Sequence, residues 1–334
     1  MKKRFLLLSL LASLSLSGCD ALDKFFDGNV SKDETKEETP QNKNNEEQNN
    51  SEQEENPDNT EQPTNPDNPV TPTMPTLPES VEEYYKNISV NATGSTLKTQ
   101  LCTLISGHTK YDYDNLEIAM KTTDRNWEKS PDPNDENPYI NLLYTVNNDD
   151  KASKWNTYHG GGGILDFNSA HWNKEHIWAK ANGFNSKGAP AYSDLHHIRA
   201  SDTKNNNKRN NYAFANNSGE YVADFNGDNS GKFEDSNPKT YEPIDRDKGD
   251  VARALFYMAT RYMNGDGSTG THLTLTTGKD ASGGKWGYLN TLLAWHTQDP
   301  PDEWEINRNG LVQNIQGNRN PYIDYPEWAQ KVFG

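Results

Sequence analysis

Residues 171–211 constrain the fold of this chain more than any other part of the sequence. They contain four of its eight histidines, gathered with carboxylates, asparagines and basic side chains. Two polar runs, residues 171–178 and 193–211, are separated by a segment rich in Gly, Pro, Asn and Ser. This arrangement predicts two short strands that lead into a helix around one polar site.

The segments on either side of this stretch supply the predicted scaffold. Apolar spacing and end signals predict helices in five places: residues 97–105, 113–121, 251–262, around 288–296, and from Pro301 onward. Asp250 is the expected N-cap of the third helix, and proline suits the first position of the last one. The composition of residues 138–146 predicts a buried strand.

Two segments suggest ligand binding, but their motifs are incomplete. Gly160 begins a run of four glycines that no Gly-Lys-Ser or Gly-Lys-Thr follows, which favours a flexible connection over a nucleotide-binding loop. Residues 212–241 carry scattered aspartates without the spacing and terminal glutamate of an EF-hand. Irregular surface is therefore favoured over a calcium loop.

Residues 1–19 have the pattern of an export signal. Three basic residues precede an apolar run that is too short to cross a bilayer. The run closes on Leu16-Ser17-Gly18-Cys19, which resembles the lipobox of bacterial lipoproteins, where Cys19 becomes the lipidated first residue. An ordinary signal peptide with an incidental cysteine is the alternative. The predicted localisation is export, with a lipid anchor at the cell surface or the periplasmic face of a membrane.

Residues 20–78 are predicted to form a disordered acidic tether. They hold 15 acidic and 4 basic residues and few large apolar side chains, so they cannot bury enough apolar surface to offset chain entropy. Residues 79–334 form the predicted folded domain, with a formal charge of −8. An acidic domain lacks the broad basic surface of a nucleic-acid coat protein, so phosphate binding must be local. With Cys19 lipidated, Cys102 is the single remaining thiol and no intramolecular disulfide is expected.

The first polar run contains groups that a metal-dependent phosphodiesterase needs. Glu175, together with an asparagine carbonyl oxygen, suits Mg²⁺, which takes few protein ligands and keeps several waters. His176 has the intrinsic pKa of a general base for an attacking water. Neighbouring strand residues face opposite ways, so Glu175 and His176 share a site only if the strand twists, bulges or ends there.

The second run supplies the remaining groups if residues 203–211 are helical. Asn206 and Arg209 are three residues apart and then share a face, which places a neutral ligand beside a phosphate-binding guanidinium. Lys204 and Lys208 add a basic edge to an otherwise acidic domain.

Three motifs resemble the signature of the bacterial endonuclease I family, which comprises secreted or periplasmic non-specific nucleases of the ββα-metal class. They are WNKEH at residues 172–176, DLHHIR at 194–199 and NNKRNN at 206–211. The resemblance extends through residues 249–254, 261–262, 308–309 and 316–321. It implies an α+β fold, with a mainly helical domain around a ββα-metal nuclease core.

The resemblance also implies roles for individual residues. His176 would be the general base, Glu175 and Asn206 would bind one Mg²⁺, and Arg209 would contact the phosphate. Mn²⁺ or Ca²⁺ are possible substitutes for Mg²⁺. Similar enzymes cut DNA, and often RNA, without sequence preference and leave 5′-phosphorylated ends. DNA and RNA are thus the expected partners, with a membrane contact through Cys19 and no protein partner.

A second set of residues is expected to support the site or to bind phosphate: His196, His197, Arg199, Lys208, Asn211, Arg308 and Arg319. For the two histidines, orienting their neighbours by hydrogen bonds is favoured over chemistry. Polar side chains of the C-terminal segment usually cap helices and satisfy buried backbone groups, which is favoured over phosphate contact. The chain departs from the family pattern in two ways. It has Ala200 where family members often have proline, and it lacks the disulfides seen in several relatives.

Two other classes of protein compete with a nuclease. His171, Glu175 and His176 suggest a zinc peptidase, but three residues separate His171 from Glu175, so the His-x-x-Glu-His spacing is not met. The main alternative is a surface lipoprotein that binds nucleic acid without cleaving it. Core packing alone gives no reason to gather a carboxylate, a histidine, an asparagine and an arginine in one short span, and this favours the enzyme.

Overall fold

The computed structural model describes residues 80–147, 153–160, 170–265, 272–279 and 281–334. The predicted signal peptide with Cys19 and the predicted tether lie outside the described residues, as do three glycines of the glycine run. Within the described ranges, no helix is both long and apolar enough to cross a membrane.

Helices and short strands alternate along the chain, which is consistent with the predicted α+β class. The helices are α1 (Val81–Tyr85), α2 (Gly94–Ile105), α3 (Leu116–Thr123), α4 (Thr203–Arg209), α5 (Asp245–Arg261), α6 (Leu289–Gln298), α7 (Glu303–Gln316), α8 (Pro321–Asp324) and α9 (Glu327–Phe333). The strands are β1 (Trp172–His176), β2 (Ile198–Asp202), β3 (Ala213–Phe214), β4 (Glu220–Ala223), β5 (Asn229–Glu234), β6 (Thr240–Pro243), β7 (Thr274–Leu275) and β8 (Lys285–Trp286).

Helix α5 lies at the centre of the larger hydrophobic core. It buries Val251, Leu255 and Met258, together with residues on its other faces, and it packs against α2, α6 and α8. A helix that is buried nearly all round requires other elements on most of its faces. The C-terminal half of the chain is accordingly built around α5.

The start of α5 differs from the prediction. The helix begins at Asp245, so Asp250 lies inside it and is not its N-cap. The Asp250 carboxylate instead accepts hydrogen bonds from Arg199 and Arg253. Asp250 thus serves tertiary ion pairs, although local sequence rules assign it to a helix cap.

The other predicted helices are confirmed with small shifts at their ends. Helices α2 and α3 bury Leu101 and Met120 at the expected spacing. Helix α6 covers the segment predicted around residues 288–296. Helix α7 starts two residues after Pro301, at Glu303, because Asp302 accepts a hydrogen bond from the Glu305 amide at 2.8 Å and caps the helix.

The predicted strand over residues 138–146 is absent, although the segment is largely buried. Its backbone amides donate to different segments, those of Ile140, Asn141 and Leu143 reaching carbonyls of Ser153, Asp124 and Ala200. Tyr144 then has a φ of 66°, which breaks the extended path. Only isolated bridges remain, because no single neighbouring strand runs alongside.

The prediction of irregular surface for residues 212–241 is wrong where four strands form within or at the end of this segment. Strands β3, β6, β5 and β4 form a four-stranded sheet in that order. Strand β4 is mostly exposed, whereas all four residues of β6 are buried. The polar composition reflects the solvent-facing edge of this sheet, which single-sequence patterning does not distinguish from a loop.

A second, smaller core cluster lies under the predicted site. Trp172 of β1 and Ile198 of β2 contribute to it, together with Leu116, Met120 and Val312 from α3 and α7. Strands β1 and β2 are therefore anchored on a packed apolar layer.

Candidate active site

Strands β1 and β2 pair in antiparallel register, and α4 follows β2 directly. Glu175 lies opposite Arg199, and His176 lies opposite Ile198. Asp202 ends β2 and caps α4 by accepting a hydrogen bond from the Asn205 amide at 2.8 Å. The helix packs against both strands, which gives the strand–strand–helix order predicted from the sequence.

A cavity of about 360 Å³ opens at the junction of β1 and α4. Most of its lining comes from polar and charged side chains: Tyr113, Lys174, Glu175, His176, Ala179, Lys180, Ala181, Asn206, Asn207, Arg209, Asn210 and Asn211. Glu175 and His176 both line it, although the two residues pair with β2 in unbroken register and His176 is the last residue of β1. The cavity unites the four residues expected to do the chemistry with Asn211 from the supporting set.

His176 is buried and oriented by a backbone carbonyl. Its Nε2 lies 3.0 Å from the Tyr192 carbonyl oxygen, and a carbonyl only accepts, so Nε2 carries the proton and Nδ1 is the basic nitrogen. The Tyr113 ring stacks on the imidazole with 5.4 Å between centroids. Burial, followed by the nearby His197, lowers the pKa of His176 well below its ordinary value. The ring is therefore neutral at neutral pH and able to accept a proton.

Glu175 is held by two donors on the same oxygen. Its Oε1 accepts from the Tyr144 hydroxyl at 2.9 Å and pairs with Arg209 Nη1 at 3.1 Å. Burial raises the pKa of Glu175, while Arg209 and Tyr144 oppose that rise. Because both contacts use Oε1, the carboxylate keeps acceptor capacity on Oε2.

Arg209 is almost fully buried, and its donors point into the protein. Nη1 donates to the carbonyls of His176 and Asn210, and Nη2 donates to the carbonyl of Ile177 at 2.5 Å. The guanidinium also lies 4.4 Å from the Phe214 ring centroid. Arg209 thus ties the end of α4 to the end of β1, and its contact with the phosphate stays a prediction.

Asn206 and Asn205 differ sharply in their surroundings. Asn206 Nδ2 donates to Asn173 Oδ1 at 2.7 Å, which orients its carbonyl oxygen as the remaining polar atom of the amide. Asn205 donates to Asp202 and Ser230 and accepts from Tyr241. The amide of Asn205 is thus fully used in the core. The geometry therefore agrees with the choice of Asn206, which its three-residue spacing from Arg209 favours.

Comparison with known proteins places these residues in a family. The family model described as Endonuclease I matches residues 93–327, which include the whole cavity. The chain belongs to the endonuclease I family.

Curated relatives carry nuclease names. An extracellular ribonuclease of Bacillus amyloliquefaciens is 40% identical over 253 residues, 75% of this chain and 78% of its own length. An extracellular ribonuclease of Bacillus subtilis (strain 168) is 39% identical over 254 residues, with the same coverage. An extracellular deoxyribonuclease of Aeromonas hydrophila is 32% identical over 77 residues, 23% of this chain and 26% of its own length. This endonuclease I family member is a nuclease that hydrolyses phosphodiester bonds.

The chemistry of the donors in this endonuclease I site fits a hard divalent cation. Among the described residues, no group of three or more His, Cys, Asp or Glu side chains is arranged to hold a metal. Glu175 and Asn206 instead offer one carboxylate and one amide oxygen to the same cavity. Such a sparse oxygen set suits Mg²⁺, which keeps most of its waters, and does not suit zinc.

His196 and His197 do not line the cavity. Their Nε2 atoms donate to the carbonyls of Asn318 and Ala191, at 3.0 and 2.7 Å. Burial lowers the pKa of both imidazoles to about 4, so they are neutral at neutral pH. These contacts agree with the expectation that the two histidines orient their neighbours.

The three predicted supporting arginines lie in buried ion pairs. Arg199 pairs with Asp124 and Asp250 and lines a separate cavity of about 90 Å³. Arg308 donates to Asp124 and to the carbonyl of Ile198. Neither borders the site cavity, so the structure places them with the scaffold.

Arg319 and Lys208 also lie outside the cavity lining. Arg319 donates to both carboxylate oxygens of Asp324 and to Gln313, which fits the favoured role in the packed C-terminal segment. Lys208 is exposed on α4, with its Nζ 4.2 Å from the Phe233 ring centroid.

Sequence reasoning missed several residues of this site. Tyr144 and Tyr192 hold Glu175 and His176, and Tyr113 and Lys180 line the cavity. A local signal existed only for Lys180, which lies four residues after His176. The three tyrosines come from segments whose approach depends on the tertiary fold.

Proposed function

We propose that this nuclease is an exported, Mg²⁺-dependent endonuclease that cleaves DNA and RNA without sequence preference. The observation that supports it most directly is that His176, Glu175 and Asn206 line one cavity, while the hydrogen bond of His176 Nε2 leaves Nδ1 as the basic nitrogen. A base and a hard-cation site side by side are what hydrolysis of a phosphodiester by water requires.

His176 performs the proton transfer. A water molecule gives its proton to Nδ1 while its oxygen attacks the phosphorus atom, and the bond from phosphorus to the 3′ oxygen breaks. The leaving 3′ oxygen takes a proton from a solvent water, and Nδ1 returns its proton to solvent, so the products carry a 5′-phosphate and a 3′-hydroxyl. The Tyr192 carbonyl keeps the ring in the required tautomer throughout.

Glu175 and Asn206 hold the divalent ion. When bound, Mg²⁺ supplies positive charge to the scissile phosphate and to the leaving 3′ oxygen. Tyr144 and Arg209 prevent the carboxylate from rotating, and Asn173 does the same for the amide. Mn²⁺ accepts the same ligands and Ca²⁺ accepts them with a longer reach, so both are expected to bind.

The names of the relatives support the substrate and the location. Both an extracellular ribonuclease and an extracellular deoxyribonuclease are similar to this chain, which favours action on both nucleic acids outside the cytoplasm. The basic and apolar start of the chain favours export, and the lipobox-like Cys19 favours a lipid anchor followed by an acidic tether.

Cleavage of supercoiled plasmid by the purified protein tests this function. With Mg²⁺ the plasmid should be nicked and linearised, and EDTA should abolish cutting. His176→Ala should lower the rate by about 10²–10⁴-fold, the usual contribution of a general base. His272→Ala removes an exposed histidine that does not line the cavity and should leave the rate unchanged.

Two outcomes would contradict the proposal in different ways. Retained binding without cutting under any divalent ion would favour the nucleic-acid-binding lipoprotein. Cutting that persists in His176→Ala would keep the nuclease and reject His176 as its base.

A further inference from the structure

Three cationic side chains line the active-site cavity within the described residues: Lys174, Lys180 and Arg209. A phosphodiester substrate brings a negative charge, and that charge increases on the non-bridging oxygens as water attacks. Mg²⁺ would offset part of this charge, and a side-chain donor that the protein has not already used would be available to an oxygen that the metal does not contact.

Arg209 and Lys174 are already committed to the protein. The terminal nitrogens of Arg209 donate to backbone carbonyls and pair with Glu175. Lys174 Nζ donates to the Tyr113 carbonyl at 2.8 Å and to Glu117 at 2.9 Å, and its side chain is 4% exposed. Releasing Arg209 would leave the buried carboxylate of Glu175 without its cation, and releasing Lys174 would break its ion pair with the partly buried Glu117.

Lys180 differs from Arg209 and Lys174 in its exposure and in its partners. It is exposed, and among the described residues its Nζ donates only to the Tyr192 hydroxyl, at 3.1 Å. Within the described part of the chain, no carboxylate lies within ion-pairing distance of this ammonium. The backbone carbonyl of Tyr192 also accepts a hydrogen bond from His176. One residue thus positions both the base and the lysine on the same side of the cavity.

We propose that Lys180 binds a non-bridging oxygen of the scissile phosphate during cleavage. The inference rests on the proposed function and adds a residue that no motif identifies. The ammonium exchanges water for a phosphate oxygen and forms a charge-assisted hydrogen bond that strengthens as the phosphorus gains its fifth oxygen. The Tyr192 hydroxyl limits the mobility of the flexible side chain before substrate arrives.

Steady-state kinetics of the full-length protein with Mg²⁺ and a short single-stranded DNA substrate test the inference. Lys180→Ala should lower kcat/KM by about 10²-fold, mostly through kcat, because the contact is strongest in the transition state. Lys180→Arg should recover at least a tenth of the wild-type value, since it keeps the charge and the reach. The slope of log kcat/KM against log salt concentration should shrink by about one in Lys180→Ala.

Lys187→Ala is the matched control. Lys187 is an exposed lysine of the same loop, pairs with Asp114, and does not line the cavity. Its kcat/KM should stay within twofold of wild type. The thermal midpoint of Lys180→Ala should equal that of wild type, because the side chain is exposed and makes a single hydrogen bond.

Three results would overturn the inference. The first is a Lys180→Ala kcat/KM within threefold of a wild type that cleaves. The second is an equal loss in Lys187→Ala, which would indicate a general electrostatic effect. The third is failure of Lys180→Arg to restore activity in a folded variant. A wild type that does not cleave at all contradicts the proposed function itself, which separates the two failures.

Discussion

At the residue scale, Tyr144 decides how Glu175, the proposed metal-binding carboxylate, is held. Its hydroxyl donates to Glu175, and its backbone amide donates to Asp247 at 2.7 Å. Its positive φ turns the chain so that both contacts form at once. Tyr144 therefore acts on the cation site through Glu175, without lining the cavity itself.

Tyr144→Phe should weaken metal binding and spare the chemistry at saturating metal. Loss of a hydrogen bond to a ligand typically lowers metal affinity by about 10–100-fold. The Mg²⁺ concentration that gives half-maximal cleavage should rise by this factor. Tyr262→Phe is the control, since its hydroxyl makes a similar buried bond to Asp194 at 2.8 Å. An unchanged metal requirement in Tyr144→Phe would show that Glu175 keeps its position without the tyrosine.

At the element scale, Arg209 joins helix α4 to strand β1. The helix has only seven residues, so its position depends on packing and not on its own propensity. Arg209 crosses from its last turn to the carbonyls of His176 and Ile177, just where β1 ends. The same guanidinium pairs with Glu175, so strand end, helix end and carboxylate are held by one side chain.

Arg209→Met should destabilise the protein by about 3–5 kcal/mol, because it leaves a buried carboxylate without its cation. Urea unfolding at pH 7 measures the change. Lys208→Met alters the neighbouring exposed position, whose contact with Phe233 contributes at most about 1 kcal/mol. A free energy of unfolding for Arg209→Met within 1 kcal/mol of wild type would contradict the anchoring role.

At the scale of the whole molecule, Asp194 connects distant parts of the chain. It accepts hydrogen bonds from Tyr257 near the end of α5, from Tyr262 at the C-cap of that helix, and from Gln316 at the end of α7. Despite its burial, nearby His108 and its other partners keep the pKa of Asp194 below its ordinary value. The neutral His196 and His197 are buried beside it.

This cluster predicts that the fold weakens in acid. His196 and His197 have a pKa of about 4 in the folded protein and an ordinary value of 6.5, so the unfolded chain takes up protons first as pH falls. Their stabilisation is complete above pH 6.5 and is lost between pH 6.5 and 4, on the order of 3 kcal/mol for each.

Urea unfolding at pH 7, 5.5 and 4.5 measures this dependence. His197→Gln should reduce the slope between pH 6.5 and 4.5, because glutamine does not titrate. Stability that stays level from pH 7 to 4.5 in wild type would contradict buried neutral histidines. The cleavage rate should depend less on pH near neutrality, because burial lowers the pKa of His176 well below its ordinary value and the base is protonated only in more acidic solution.

Local geometry explains which predictions succeeded. Glu175 and His176 are adjacent, and Asn206 and Arg209 are one helical turn apart, so their proximity follows from backbone geometry alone. Helices α2 and α3 follow from the spacing of their apolar residues. The errors lie where tertiary packing decides, as with Asp250, the sheet within residues 212–241 and the predicted strand over residues 138–146, which forms only isolated bridges.

The sequence by itself determined the nuclease family, the strand–strand–helix order and the candidate base and metal ligands, because these depend on residues close together in the chain. The tertiary structure alone decided which side chains hold or complete the site. Tyr144 reaches Glu175 across 31 residues, and Tyr192 reaches His176 across 16. Arg209 is committed to the protein, whereas the exposed Lys180 has no ion-pair partner among the described residues, because burial and hydrogen bonding are set by how the whole chain packs.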